Sequence, residues 1–268
     1  MSSILEAILL GVVQGLTEFL PVSSSGHLEI VKYLVGDEST GEQSLLMTVI
    51  LHFATALATI FVFRSDIRDL IRQAFSFKKN EGHSYLLKII LSMLPAALVG
   101  LFFEEIIETM FSQKLVLVGI ALLVTAGLLI VADLAKDTDR DISFTTALIV
   151  GLSQAVAIIP GISRSGATIA TAVLLKIDRD RAARFSFLMV VPLILGKIAK
   201  DLLDGELFMS ENMVALGFGF IAAFVTGILA CIWMLRLVRR ANLRYFGWYC
   251  ILVGFLSILV GMEAFSYA

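Results

Sequence analysis

Charge is scarce in this sequence. Of its 268 residues only 16% are charged, against about 25% in an ordinary soluble domain. A soluble fold of this length needs a more polar surface than that. Cysteine is nearly absent. Cys231 and Cys250 both lie inside apolar runs, where a thiol packs as a small hydrophobe. No CxxC and no Cys/His cluster occurs, so no zinc or iron–sulfur site is indicated. No GxxxxGK[ST] segment is present, and nucleotide hydrolysis on a P-loop is not supported. The net charge of −2 says nothing about partners, and no nucleic-acid partner is expected. No basic region precedes the first apolar run, so a cleaved signal peptide is not expected either.

What fills the chain instead is hydrocarbon: 58% of residues are hydrophobic and the mean hydropathy is +0.92. A membrane-crossing helix needs about 20 mostly apolar residues. Six segments meet that length, at roughly 45–63, 85–103, 114–134, 184–203, 213–236 and 245–263. Barrel strands would alternate over about ten residues, and backbone in hydrocarbon must satisfy its own hydrogen bonds, so these segments are expected as helices. Pro95 and Pro192 fall within spans and are expected as packed kinks.

Two further apolar stretches read differently. Segment 4–35 breaks at Pro21-Val-Ser23-Ser24-Ser25-Gly26-His27, and segment 143–175 breaks at Pro160-Gly-Ile-Ser163-Arg164-Ser165-Gly166. The second arm of each is too short to cross. Each is expected as a re-entrant helix–loop–helix hairpin whose break lines a wet cavity, because irregular backbone at membrane depth is tolerated only there or inside protein. The fold class expected is an all-α polytopic membrane protein, one membrane domain over 1–268, with six transmembrane helices and two re-entrant hairpins.

Loop charge sets the orientation. Arg64, Arg68, Arg72, Lys78 and Lys79 mark the 64–84 connection as cytoplasmic. Lys176, Arg179, Arg181 and Arg184 mark 176–184, and Arg236, Arg239, Arg240 and Arg244 mark 237–244, in the same way. Glu104, Glu105 and Glu108, and Asp204, Glu206 and Glu211, place their connections outside. Threading six spans through these loops puts both termini outside the cytoplasm. The first hairpin then enters from outside and the second from the cytoplasm.

The two hairpins are also alike in sequence. At an offset of 140, Ala7, Gly11, Gln14, Ser23, Ser25 and Gly26 match Ala147, Gly151, Gln154, Ser163, Ser165 and Gly166. Each half reads as a hairpin followed by three spans, and an odd number of crossings inverts the second copy. An inverted repeat with halves at approximately 1–134 and 143–268 follows, a known way to build a buried polar site near the midplane.

The breaks carry the chemistry. A charged side chain deep in a membrane costs about 2.5–3.5 kcal/mol on insertion scales, so Arg164 should face a cavity and meet an anion. It stands at the start of a helical arm, where free N–H groups attract phosphate, and its guanidinium offers paired donors. Ser163, Ser165, Gly166 and Thr168 surround it. In the first break, Gln14 and Glu18 share a helix face at i and i+4, and a carboxylate with an amide oxygen suits Mg²⁺ or Ca²⁺. Ser23, Ser24 and Ser25 supply hydroxyls, Gly26 a tight bend, and His27 an imidazole that can serve as acid, base or nucleophile. His52 reads as an ordinary bundle histidine. Together these groups suit hydrolysis of a phosphate ester or anhydride. A lipid transporter or flippase is the alternative, since broken helices in inverted repeats also build transporters.

Gln14-Gly-Leu-Thr-Glu18-Phe-Leu-Pro21-Val-Ser-Ser24-Ser-Gly-His27 and Pro160-Gly-Ile-Ser163-Arg164-Ser-Gly-Ala-Thr168 resemble the two signature motifs of the bacterial undecaprenyl-diphosphate phosphatase, or bacitracin resistance protein, family. The resemblance covers essentially the whole chain. It implies hydrolysis of undecaprenyl diphosphate to the monophosphate carrier of cell-wall synthesis, with bacitracin resistance. It also implies a divalent-cation-dependent site opening to the outer face, a homodimer and a place in the bacterial inner membrane. The family's paired acidic positions fall on Gln14 and Glu18, its histidine on His27, its Ser-Arg pair on Ser163 and Arg164, and its threonine on Thr168. Many relatives carry Glu where this chain has Gln14, and a missing carboxylate weakens the hold on a metal. Ser24 is the preferred nucleophile, with His27 moving the proton; His27 as the direct nucleophile is the second choice.

Overall fold

A computed structural model describes residues 4–36, 41–76, 81–103, 106–107, 110, 114–136, 138–203, 213–239 and 242–266. The loop residues Lys78, Lys79, Glu104, Glu105, Glu108, Asp204, Glu206, Glu211 and Arg240 lie outside them. Eleven helices run through the described residues, which contain no strand. They are α1 Ile4–Phe19, α2 Ser24–Val35, α3 Gly41–Val62, α4 Arg64–Ala74, α5 Glu81–Phe102 and α6 Leu115–Asp133. The second half holds α7 Phe144–Val156, α8 Arg164–Leu174, α9 Arg179–Leu203, α10 Met213–Arg239 and α11 Leu243–Ser266.

Five helices are long and apolar enough to cross a membrane: Glu81–Phe102, Leu115–Asp133, Arg179–Lys200, Met213–Val238 and Leu243–Glu263. Leu46–Val62 with Arg64–Ala74, bent by 78° at their junction, makes a sixth candidate when the pair is counted as one span. The chain is a multi-pass membrane protein. Its outward surface agrees: Leu87, Leu94, Leu98 and Leu101 on α5, and Leu252, Phe255, Leu256 and Leu259 on α11, are exposed at helical spacing. Water would not tolerate so much uncovered hydrocarbon.

Helix ends differ from the expected spans where charge misled. The stretch beginning at Arg179 reads as a charged connection, yet it is the first turn of α9. Asp178 accepts from the Arg181 N–H (3.0 Å), and Arg184 Nε donates to Asp180 Oδ2 (3.0 Å) one turn on. Likewise part of the 64–84 connection is helix α4, whose Ile67, Leu70, Ile71 and Ala74 recur at helical spacing among arginines.

Two short helices flank each break. α1 and α2 meet around residues 20–23, α7 and α8 around 157–163. The serine that opens each second arm caps it in the same way. Ser23 Oγ accepts from the Gly26 N–H (3.3 Å) and Ser163 Oγ from the Gly166 N–H (3.0 Å). Such a hydroxyl satisfies one of the donors a helix start leaves open. Ser23 adopts φ 71, a conformation few serines take.

The first arm of each broken pair packs along a longer helix. α1 lies along α10, and α7 along α5; α6 and α11 pair with each other. Gly11 of α1 and Gly151 of α7 make the first two contacts possible. A Cβ at Gly11 would fall 2.3 Å from the Gly219 carbonyl oxygen, and one at Gly151 would fall 2.4 Å from that of Ser92. Small residues at such crossings let backbones approach, the main source of helix association in lipid.

Candidate active site

The site grows from α1. Gln14 and Glu18 are one turn apart and both buried, Gln14 completely. Gln14 Nε2 donates to Glu18 Oε2 (3.1 Å) and to Thr55 Oγ1 (3.4 Å) on α3, while Gln14 Oε1 is buried without a partner. Ser24, the first residue of α2, turns its hydroxyl back across the break to Glu18 Oε2 at 2.7 Å.

The second break reaches the same carboxylate. Arg164, the first residue of α8, donates through Nη2 to Glu18 Oε1 in a close ion pair that joins positions 146 residues apart. Nη1 donates to the Ser186 carbonyl on α9 (3.4 Å). Thr168 Oγ1 donates to the Arg164 carbonyl (2.8 Å) and lies 2.6 Å from Ser186 Oγ, so Ser186 braces both ends of this turn. Ser165 Oγ donates to Leu20 O (3.2 Å), tying the second break to the first. Ser163 and Ser165 hydroxyls are 3.3 Å apart, as are those of Ser23 and Ser25. Gly166 and Gly26 are the capped amides described above. From α6, Thr125 accepts from the Ser163 N–H (3.0 Å) and donates to Gly161 O (3.2 Å), pinning the irregular backbone.

Exposure rises from the carboxylate outward. The Glu18 side chain is 7% exposed, Arg164 16% and His52 28%. His52 is thus the most exposed of the three. Its Nε2 is 3.7 Å from Glu18 Oε2, and its Nδ1 is 2.8 Å from the Thr48 carbonyl.

His27 is arranged otherwise. Nδ1 lies 2.7 Å from the Ser23 carbonyl and Nε2 2.8 Å from the Tyr249 hydroxyl, with the two rings stacked. Both nitrogens are thereby engaged. Among the described residues no hydrogen bond joins His27 to Ser24 or Glu18. Gln14, Glu18, Ser24 and Arg164 thus form one cluster, and His27 stands beside the first break, held to α11.

Sequence reasoning passed over His52, Thr55, Thr125, Ser186 and Tyr249. A signal existed for the first two. Thr48, His52, Thr55 and Thr59 recur every three or four residues along an otherwise apolar span, a polar stripe that lipid would reject. Ser186 and Thr125 stand alone among apolar neighbours and offered none.

A model of the family described as bacitracin resistance protein BacA matches residues 7–256. A protein of Christiangramia forsetii named undecaprenyl-diphosphatase is 56% identical over 266 residues, covering 99% of each chain. One of the same name from Bacteroides fragilis is 45% identical over 260 residues, covering 95% of this chain and 97% of the relative. Another, from Methanobrevibacter smithii, is 36% identical over 272 residues, covering 96% and 97%. Motifs, breaks and full-length kinship agree: the chain belongs to the bacitracin resistance protein BacA family.

Proposed function

We propose that the protein hydrolyses undecaprenyl diphosphate to undecaprenyl phosphate and inorganic phosphate, recycling the lipid carrier of cell-wall synthesis and giving bacitracin resistance. One observation carries the reading: Glu18 and Arg164, from two distant breaks, meet beside the Ser24 hydroxyl. An anion receptor, a carboxylate and a nucleophile at one point are the parts that phosphoryl transfer needs.

Arg164, Ser163 and the N–H groups at the start of α8 hold the terminal phosphate, with Ser165, Gly166 and Thr168 shaping that turn. On substrate entry the guanidinium exchanges part of its contact with Glu18 for phosphate oxygens. Ser24 Oγ attacks the terminal phosphorus. Its proton passes to Glu18 Oε2, already its hydrogen-bond acceptor, as the bond from that phosphorus to the bridging oxygen breaks and undecaprenyl phosphate leaves. Water then attacks the phosphoserine phosphorus; as the bond to Ser24 Oγ breaks, Glu18 returns its proton to that oxygen, and the hydrogens of the water leave on inorganic phosphate. Ser23, Ser25 and Gly26 keep the Ser24 turn in place. His27, through the Ser23 carbonyl and Tyr249, orients that turn.

A divalent cation, Mg²⁺ or Ca²⁺, fits the chemistry of the donors. Among the described residues no group of three His, Cys, Asp or Glu converges. However, Gln14 Oε1 is a buried oxygen with no donor, beside a carboxylate. Gln14 and Glu18 would hold the ion, which would neutralise charge on the diphosphate.

The reading extends to architecture. The helix pairs α1–α2 and α7–α8 are re-entrant hairpins of an inverted repeat, with halves approximately 1–134 and 143–268. The equal caps at Ser23 and Ser163 and the exchanged packing at Gly11 and Gly151 support this. Both termini lie outside the cytoplasm of a bacterial inner membrane, and the working unit is a homodimer.

Purified wild-type protein in detergent should release phosphate from farnesyl or undecaprenyl diphosphate and lose that activity with chelator. Folded Arg164→Ala and Glu18→Ala variants should release little. Phosphate release at wild-type rates by both variants sinks the site, and none from wild type favours a transporter.

A further inference from the structure

The cation site in the reading above has two oxygen donors, Gln14 and Glu18. We propose a third ligand from a different helix: His52 Nε2, which makes this a mixed nitrogen–oxygen site selective for Mn²⁺ over Ca²⁺. The inference rests on the proposed cation, and its test reads metal binding directly.

The hydrogen bond at Nδ1 leaves Nε2 as the nitrogen of His52 that is available to a metal. The Thr48 carbonyl can only accept, so Nδ1, 2.8 Å away, must carry a hydrogen. In the neutral ring Nε2 is then a bare lone pair. That lone pair faces Glu18 Oε2, another acceptor, across 3.7 Å. A cation between them would be bound by a lone pair from each. Donors bound to one ion at about 2.0–2.2 Å stand roughly 3–3.6 Å from each other, close to the gap seen. A histidine metal ligand commonly gives its other nitrogen to a backbone carbonyl, as Nδ1 does here.

Gln14 completes the set. Its amide turns Nε2 toward the carboxylate, leaving Oε1 buried and unpartnered. Rotating the amide end for end would present Oε1 to the same point, and no donor holds it in its present place. Carboxylate, amide oxygen and imidazole would then converge from α1 and α3. His52 is also the most exposed of these groups. Imidazole suits transition metals, whereas Ca²⁺ prefers an all-oxygen shell.

The test is Mn²⁺ binding to tag-free protein in detergent, followed by electron paramagnetic resonance, with electron-spin-echo modulation to detect a coordinated nitrogen. Wild type should bind Mn²⁺ with a clear ¹⁴N coupling, and Ca²⁺ should compete poorly. His52→Gln should abolish the coupling and weaken Mn²⁺ binding about tenfold or more while narrowing the preference over Ca²⁺. His27→Asn should keep the coupling. A wild-type spectrum without nitrogen coupling, no Mn²⁺ binding, or a coupling removed by His27→Asn and not by His52→Gln each overturns the proposal. Phosphate release with Mg²⁺, measured on the same samples, reports separately on the hydrolase reading.

Discussion

At the scale of single residues, the account assigns the reaction to one oxygen. Ser24→Ala should lower phosphate release by on the order of a thousandfold or more, because among the described residues no other hydroxyl is held against Glu18 Oε2 in this way. The check is steady-state release from farnesyl diphosphate with a folded, monodisperse variant; retention of a tenth of the rate would move the nucleophile elsewhere. Thr125 makes a second, structural prediction. Thr125→Val strips a buried partner from both the Ser163 N–H and the Gly161 carbonyl. Each group left bare costs about 1–3 kcal/mol, so thermal unfolding in detergent should shift downward and activity should fall with it. These contacts also show which residues were readable. Arg164, Glu18 and the serines announce themselves because charge and hydroxyls at a break inside an apolar run have few other reasons to be there. His52 did not, because one imidazole in an unbroken span looks like a packing residue until its stripe with Thr48, Thr55 and Thr59 is seen on a helix face. Tyr249, far along the chain, meets His27 only through the fold.

At the scale of helices, the governing fact is close approach. Gly11→Val should loosen α1 from α10, since any Cβ there meets the Gly219 carbonyl at 2.3 Å. Overpacking of that kind costs about 1–3 kcal/mol. Lower yield and an earlier melting transition in detergent are expected. Gly127→Ala, where a Cβ would meet nothing within 4 Å, should leave both unchanged; equal damage from the two would refute the packing argument. The broken helices were legible because Pro, Gly and Ser punctuate an apolar sequence sharply. α4 was not. It is eleven residues long, and its four apolar positions are diluted by arginine and aspartate, so loop charge masked a helical period. The early start of α9 was hidden likewise, because Asp178, Arg181 and Arg184 read as a charged loop although they cap and brace a helix end.

At the scale of the whole molecule, composition decides the solvent and the fold brings the two breaks into contact. The surplus of apolar surface requires lipid, and hydrocarbon in turn forces irregular backbone and charge inward, where the two breaks find each other. The proposed orientation, with both termini outside, predicts that a C-terminal alkaline phosphatase fusion is enzymatically active in cells; a bright C-terminal fluorescent-protein fusion would reverse it. The central claim, that the breaks form one reacting unit, is tested most directly by a double-mutant cycle on kcat/KM for phosphate release. Glu18→Gln, Arg164→Gln and the double variant are compared, each checked for folding. If the carboxylate and the guanidinium act together, the double variant should lose about as much as the worse single variant. Losses that multiply, as for independent sites, would contradict the account.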